Sequence, residues 1–123
     1  MANRKSRSGC PIASTLDLVG DRWSLVILRD MLNGKSRFAE FLDSPERITT
    51  NILTDRLVQM EEFGLVKREA YQSRPMRYAY RLTAKGEGLL PVLQEICRWA
   101  NRHIPGTWVP PKVFMERRPA KGA

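Results

Sequence analysis

The sequence predicts a mainly α-helical fold carrying a small β-ribbon, and three observations predict it. Apolar residues recur at helical spacing in five stretches, with turn or stop residues between them. One of these, Ile48 to Val66, opens with hydroxyls and an amide, shows one clean apolar stripe and stops at Gly64. Two strand-like runs rich in tyrosine and arginine follow directly. Short polar side chains crowded at the start of a solvent-facing helix, with a basic ribbon after it, predict a winged helix-turn-helix.

The elements follow in order. Residues 1–9 read as a disordered basic arm. Pro11 to Val19 forms a short helix, with proline in its first turn and Ile12, Leu16 and Val19 on one face; Gly20 ends it. Asp21 caps a second helix, Arg22 to Leu32, which is apolar on most sides and therefore central. Asn33-Gly34 stops it, and Ser36 caps a short third helix, Arg37 to Leu42, with Phe38 and Phe41 or Leu42 inward. Thr49 or Thr50 caps the fourth helix. At 100° per residue Thr49, Leu53, Leu57 and Met60 share its buried side, while Asn51, Thr54, Asp55 and Val58 face the opposite way. Leu65 to Tyr71 and Arg77 to Leu82 are strands joined by the turn Gln72 to Met76. Thr83 caps a long last helix reaching about His103, bent where Pro91 removes a backbone bond. Its apolar residues span more than one stripe, so it needs a second packing partner, and a two-fold dimer supplies one. Residues 104–123 form a proline-rich basic tail in which Pro105, Pro110 and Pro111 forbid helix, with Trp108 and Val109 available to dock. The chain divides into an arm at 1–9, a domain at 10–103 and this tail.

Charge is unevenly placed. The net charge is +8, and residues 1–8 and 112–123 carry +6 of it. Inside the body, residues 67–85 hold Lys67, Arg68, Arg74, Arg77, Arg81 and Lys85 against Glu69 alone, a local +5. Such a segment suits an element that tracks phosphates, although a solvated charged hairpin has the same composition. The exposed face of the fourth helix has two readings as well. It is an ordinary solvent face, or a surface for base edges, where asparagine pairs with adenine, threonine meets a thymine methyl and aspartate accepts from cytosine. At the tip of the ribbon Arg74, and beside it Arg77, would reach phosphate or a minor groove.

No run is apolar enough to cross a membrane and no leader-like segment opens the chain, so the expected location is the cytoplasm, with Cys10 and Cys97 reduced. No cofactor and no metal is implied, because the two cysteines lack zinc spacing and no glycine-rich phosphate loop occurs. An enzyme is not expected: His103 is the single histidine, late in a helix, and Glu61 and Glu62 diverge by about 100°.

The chain resembles the HxlR-type family of winged-helix regulators, relatives of the MarR group. The residues that carry the likeness are Cys10-Pro11, Leu18-Val-Gly-Asp-Arg-Trp-Ser-Leu-Val-Ile-Leu-Arg29, Arg37-Phe-Ala-Glu-Phe41 and Ile48-Thr-Thr-Asn-Ile-Leu-Thr-Asp-Arg-Leu57. It continues through Glu61-Glu-Phe-Gly-Leu-Val66, Tyr80-Arg-Leu-Thr-Ala-Lys-Gly86, Leu90-Pro-Val-Leu93 and Trp99, covering about residues 10 to 103. The resemblance implies a homodimer, formed largely by the first and last helices, bound to double-stranded DNA at an inverted-repeat (palindromic) operator. Its two recognition helices would sit roughly 34 Å apart.

Carried onto this sequence, it implies base readout by Thr50, Asn51, Thr54 and Asp55, with Thr49 at the helix start beside them. Ser36 and Arg37 would meet phosphate at the start of the third helix. Arg74 and Arg77 would be the wing contacts, and Arg56, at the edge of the buried stripe, a further phosphate candidate. Ile12, Leu16, Leu93, Ile96, Trp99 and Ala100 would line the dimer interface. One departure is Arg47, where family members often have glycine; arginine there tightens the turn less and adds a cation. Cys10 precedes a helix and lies near Arg4, Lys5 and Arg7, which favours thiolate, so it is either a redox or electrophile sensor or a minor thiol. Cys97 reads as a small core residue. Trp23 and Trp99 either line a small-molecule pocket between the second and last helices or pack as aromatics. The expected function is therefore a sequence-specific DNA-binding transcriptional regulator, a repressor, responsive to a redox, electrophile or small-molecule signal. The alternative is a winged-helix module for protein partners.

Overall fold

A computed structural model describes residues 7–123. Arg4 and Lys5, half of the sequence argument about Cys10, lie outside the described residues. Seven helices and one hairpin are present among the described residues: α1 (Pro11–Val19), α2 (Ser24–Leu32), α3 (Phe38–Leu42), α4 (Thr50–Glu62), β1 (Val66–Ser73), β2 (Met76–Leu82), α5 (Ala84–Glu87), α6 (Leu90–His103) and α7 (Lys112–Met115). The mainly helical fold with a two-stranded antiparallel ribbon is as the sequence predicts.

The central role of α2 follows from its composition. Ile27, Leu28, Met31 and Leu32 are all buried, and Ile27 and Leu28 pack with Phe41, Leu53, Leu57, Met60, Leu65 and Val66 in one core. A second, smaller cluster holds Leu32, Leu90, Leu93 and Phe114. Burial of such side chains, at about 1.5–3 kcal/mol each, is the main favourable term for so small a chain.

Several boundaries differ from the sequence reading, each for a local reason. Asp21 is not the N-cap of α2, which is Trp23; its carboxylate accepts from the backbone N–H groups of Trp23 and Ser24, both at 2.9 Å, and from the Ser24 hydroxyl. That Asx-type turn absorbs residues 22 and 23, so the helix begins at Ser24 and not at Arg22. Ser36 does not cap α3. Glu40 reaches back instead, and its Oε1 accepts from Ser36 N–H at 3.0 Å and Arg37 N–H at 2.8 Å. The ribbon is longer than expected: Gln72 pairs with Arg77 and Ser73 with Met76, which leaves only Arg74 and Pro75 as the connection. A bulge between Ala70 and Gln72 makes Tyr71 the extra residue.

The expected helix from Thr83 to His103 is two helices. Thr83 caps α5, its Oγ1 accepting from Gly86 N–H at 3.1 Å and donating to Gly64 O at 2.5 Å. Pro91 then sits in the first turn of α6, where its missing N–H is one of the unpaired set anyway, so it starts a helix instead of bending one. Gly86 has room for no side chain, because a Cβ there would lie 2.2 Å from Leu65 O.

The prolines of the C-terminal segment do not exclude helix. Pro111 precedes α7 as its N-cap. Phe114 is buried, and Gln94 Nε2 donates to Phe114 O at 3.0 Å and Arg117 O at 2.7 Å. The segment expected as a tail therefore packs on α2 and α6. Trp108 and Val109, expected to dock, are about four-fifths exposed. At the other end, Arg7 is not part of a disordered arm: its Nε donates to Asp17 at 2.7 Å and its NH2 to Ala13 O at 3.1 Å.

Candidate nucleic-acid interface

The site is built from α3, α4 and the ribbon. Within α4 the buried and exposed faces fall where the 100° rule puts them: Leu53, Leu57 and Met60 are buried, while Thr50, Asn51, Thr54, Asp55 and Val58 are exposed. Thr49, placed by the same rule on the buried side, is exposed, because its backbone is extended and the helical angle does not reach it. Thr49 caps the helix, accepting from Ile52 N–H at 3.4 Å.

The exposed residues are not chemically equivalent. Thr54 donates its hydroxyl to Thr50 O at 2.9 Å, which leaves its lone pairs and methyl group outward. Asp55 accepts from Arg56 NH2 at 2.7 Å and from Gln59 Nε2 at 3.4 Å. Arg56 also lies 3.5 Å from Asp21, and its side chain is only 19 % exposed. The side-chain hydrogen bond to Asp55 raises the Arg56 pKa further. Arg56 thus ties α4 to the residues before α2, a role that the sequence pattern did not reveal. The carboxyl of Asp21 would be raised by burial, but the bonds from Ser24 and Trp23, with Arg56 nearby, outweigh that and hold it below its ordinary value.

The turn that aims α4 is clamped from below. Arg29 holds Glu46 through two bonds, at 2.7 and 2.9 Å, and Asp30 through two more, at 3.0 and 2.9 Å. The second oxygen of Asp30 accepts from the buried Ser44 hydroxyl at 2.5 Å, and Lys35 Nζ donates to Asp43 O and Ser44 Oγ. The hydrogen bond to Glu46 raises the Arg29 pKa, and the same bond lowers that of Glu46. A charged residue inside the apolar periodicity of α2 is the signal that could have found this network. Arg47 follows it with φ at +59°, a left-handed conformation that glycine adopts without strain.

The ribbon sorts its positive charge. Lys67 and Arg81 both pair with Glu69, Arg68 pairs with Glu61 and lies 4.5 Å over the Tyr78 ring, and Lys85 donates to Phe63 O. Among the described residues, Arg74 and Arg77 at the tip make no ion pair and are exposed. The local +5 is therefore least neutralised at the tip. Beside the ribbon, Arg37 lies over the Tyr71 ring at 4.2 Å, in an open groove of about 420 Å³ between α3 and the wing. Arg37 is exposed and Ser36 half-buried, with Ser36 O accepting from Tyr80 N–H at 2.7 Å. Because Glu40 already occupies the N–H groups of residues 36 and 37, the helix-start argument for phosphate at Ser36 loses its basis. The cation of Arg37 remains.

Of the expected interface residues, Ile12, Leu16, Ile96 and Trp99 are exposed and Ala100 is half-buried. Leu93 is not available: it is 6 % exposed and packs with Leu90 and Phe114 inside the protomer. Trp99 packs against His103 one turn on, and Trp23 packs partly buried on the core with Arg22 over its ring. Cys10 is exposed at the start of α1, while burial raises the Cys97 thiol pKa.

Residues 18–107 match the HxlR-like helix-turn-helix family. The chain belongs to the HxlR family. Its relatives include the HTH-type transcriptional regulator YdeP of Bacillus subtilis (strain 168), 36% identical over 95 residues that cover 77% of this chain and 74% of YdeP. Two solved structures share its fold at comparable identity. One is the redox regulator HypR in its oxidized form, with a TM-score of 0.69, 35% identity, and coverage of 76% of this chain and 97% of HypR. The other is the reduced form of the transcriptional regulator YodB from B. subtilis, at 0.67 and 30%, with coverage of 82% and 100%. This HxlR-family chain is thus a transcriptional regulator with a helix-turn-helix fold. No helix among its described residues is long and apolar enough to cross a membrane.

Proposed function

We propose that this HxlR-family protein is a repressor that binds an inverted-repeat operator in double-stranded DNA as a homodimer. One observation carries the reading: Thr50, Asn51, Thr54 and Asp55 are exposed together on the first two turns of α4, next to a ribbon whose tip arginines are unpaired among the described residues. Helix-turn-helix proteins read base edges with those turns. Asn51 and Thr50 are the readout residues whose groups are least engaged. Asp55 reads bases only by exchanging part of its bond to Arg56, so Arg56 is assigned to holding α4 and not to phosphate. Arg74, Arg77 and Arg37 meet the backbone. Exposed Ile12, Leu16, Ile96 and Trp99 supply the apolar surface of the dimer.

Selection of bound sequences from a random duplex pool at about 150 mM salt tests this, since that salt suppresses non-specific binding. The expected product is a palindrome with half-sites about ten base pairs apart. Asn51→Ala is expected to relax the preference at one position, while Arg77→Ala weakens all sequences and reduces the salt slope by about one. Equal losses on specific and random DNA for both variants would overturn the assignment of roles.

The exposure of Cys10 favours it as the sensing thiol, in keeping with a neighbour described as a redox regulator. A Cys10→Ser protein whose DNA binding still responds to diamide or a quinone as the parent does ends that assignment.

A further inference from the structure

The Arg37–Tyr71 pair joins two elements that the sequence keeps 34 positions apart. Three facts make it a built arrangement. Residues 36 and 37 are bound to the far edge of the ribbon, through Tyr80 N–H to Ser36 O at 2.7 Å and a bridge between Arg37 and Ala79. The bulge in β1 adds Tyr71 as the one residue of its stretch without a cross-strand partner, which re-aims its side chain. The guanidinium then sits 4.2 Å from that ring's centroid.

A guanidinium over an aromatic face is held by the ring's negative π surface while the N–H donors in its own plane remain available. Arg37 makes no ion pair among the described residues, so no carboxylate competes for those donors. Glu40, the nearest acid in sequence, is committed to the backbone N–H groups of Ser36 and Arg37, and those bonds lower its pKa. The amides of Ser36 and Arg37 are therefore engaged, while the side chain of Arg37 keeps its donors for an anion.

We propose that Tyr71 is a positioning residue for DNA recognition: it pre-orders the Arg37 guanidinium to bind one backbone phosphate in the crevice between α3 and the wing. This rests on the operator-binding reading above. The stack fixes a long, otherwise mobile side chain before DNA arrives, so less ordering cost falls on the binding step.

The test is a double-mutant cycle on the full chain, with a fluorescein-labelled duplex of the selected sequence, titrated at several salt concentrations. Arg37→Ala is expected to weaken binding about ten-fold and reduce the salt slope by about one. Tyr71→Ala is expected to weaken binding about three-fold, in line with an exposed cation–π contact. Tyr71→Phe, which keeps the π face, is expected to bind as the parent does. Tyr71→Leu, which fills the space without a π face, is expected to behave as alanine. In the Arg37→Ala background, Tyr71→Ala adds no further loss.

Additive losses, or rescue by leucine as complete as by phenylalanine, overturn the positioning role while leaving operator binding intact. A parent protein that enriches no sequence overturns the operator reading, and the role of Tyr71 falls with it. A separate readout keeps the contact itself apart from either result. The upfield ring-current shift of the Arg37 Cδ protons by NMR is expected in the parent and in Tyr71→Phe and is lost in Tyr71→Ala.

Discussion

Replacing Asp30 with alanine removes the residue that links the central helix to the turn before α4. The Asp30 side chain is 8 % exposed and accepts three hydrogen bonds, from Arg29 Nε, Arg29 NH2 and the Ser44 hydroxyl. Bonds to a charged group contribute roughly 1.5–3 kcal/mol, and breaking a buried pair from one side costs about 3–5 kcal/mol. One feature reduces that figure. Arg29 keeps both bonds to Glu46 and is about a third exposed, so water screens the charge left behind. Ser44 still accepts from Lys35, but its own hydroxyl proton loses its acceptor. The expected loss is about 2–3 kcal/mol, which for a chain of this size lowers Tm by roughly 8–12 °C. Asp30→Asn retains an acceptor for Ser44 but turns an amide donor toward Arg29, so it loses the charge and the Arg29 bonds, and about 1–2 kcal/mol is expected. Urea unfolding at neutral pH and fixed protein concentration measures both, the concentration being held because a dimer's stability depends on it. An alanine variant within about 0.5 kcal/mol of the parent, or equal to asparagine, would refute the reasoning, because surface-like substitutions fall in that range.

Further predictions concern the turn, the glycine contact, the C-terminal segment and acid. Arg47→Gly is expected to stabilise by about 0.5 kcal/mol, the relief of left-handed strain slightly exceeding the added freedom of the unfolded chain; urea unfolding reads it, and Arg47→Ala should give no gain. Gly86→Ala forces α5 away from Leu65 O and is expected to cost at least about 2 kcal/mol by the same assay. Phe114→Ala is expected to cost about 3 kcal/mol; a loss below about 1 kcal/mol would show that α7 contributes little to the folded unit. The carboxyls of Glu46, Glu40 and Asp21 all have folded-state pKa values below their ordinary ones, Glu46 mainly through Arg29. Their contribution is therefore complete above about pH 4.5 and is lost as pH falls through the depressed values, because the unfolded chain then binds more protons. Unfolding midpoints between about pH 6 and 3 should show a steep acid limb in the parent and a shallower one in Glu46→Gln.

The sequence by itself determined which residues of α4 are buried and which are exposed, because 3.6-residue periodicity is a property of the single helix and needs no partner. Leu53, Leu57 and Met60 lie inside, and Asn51, Thr54 and Asp55 lie outside, as their spacing requires. It likewise determined the limits of α1, where Pro11 and Gly20 act within one turn, and the existence of a hairpin with Arg74 at its tip.

What only the tertiary structure decided involves competition between groups far apart in the chain. Glu40 displaces Ser36 as the cap of α3, and Pro91 begins a helix once Gly86 must fit under Leu65. Leu93 turns inward because Phe114, 21 residues later, folds back to meet it. Arg56 is drawn to Asp21 and Asp55, Arg29 to Glu46, and Arg37 to Tyr71. Periodicity ranks positions on one element by direction. It carries no information about which distant carboxylate or ring will lie within a few ångströms of a given cation, and at those distances the pairing decides what each arginine is left to do.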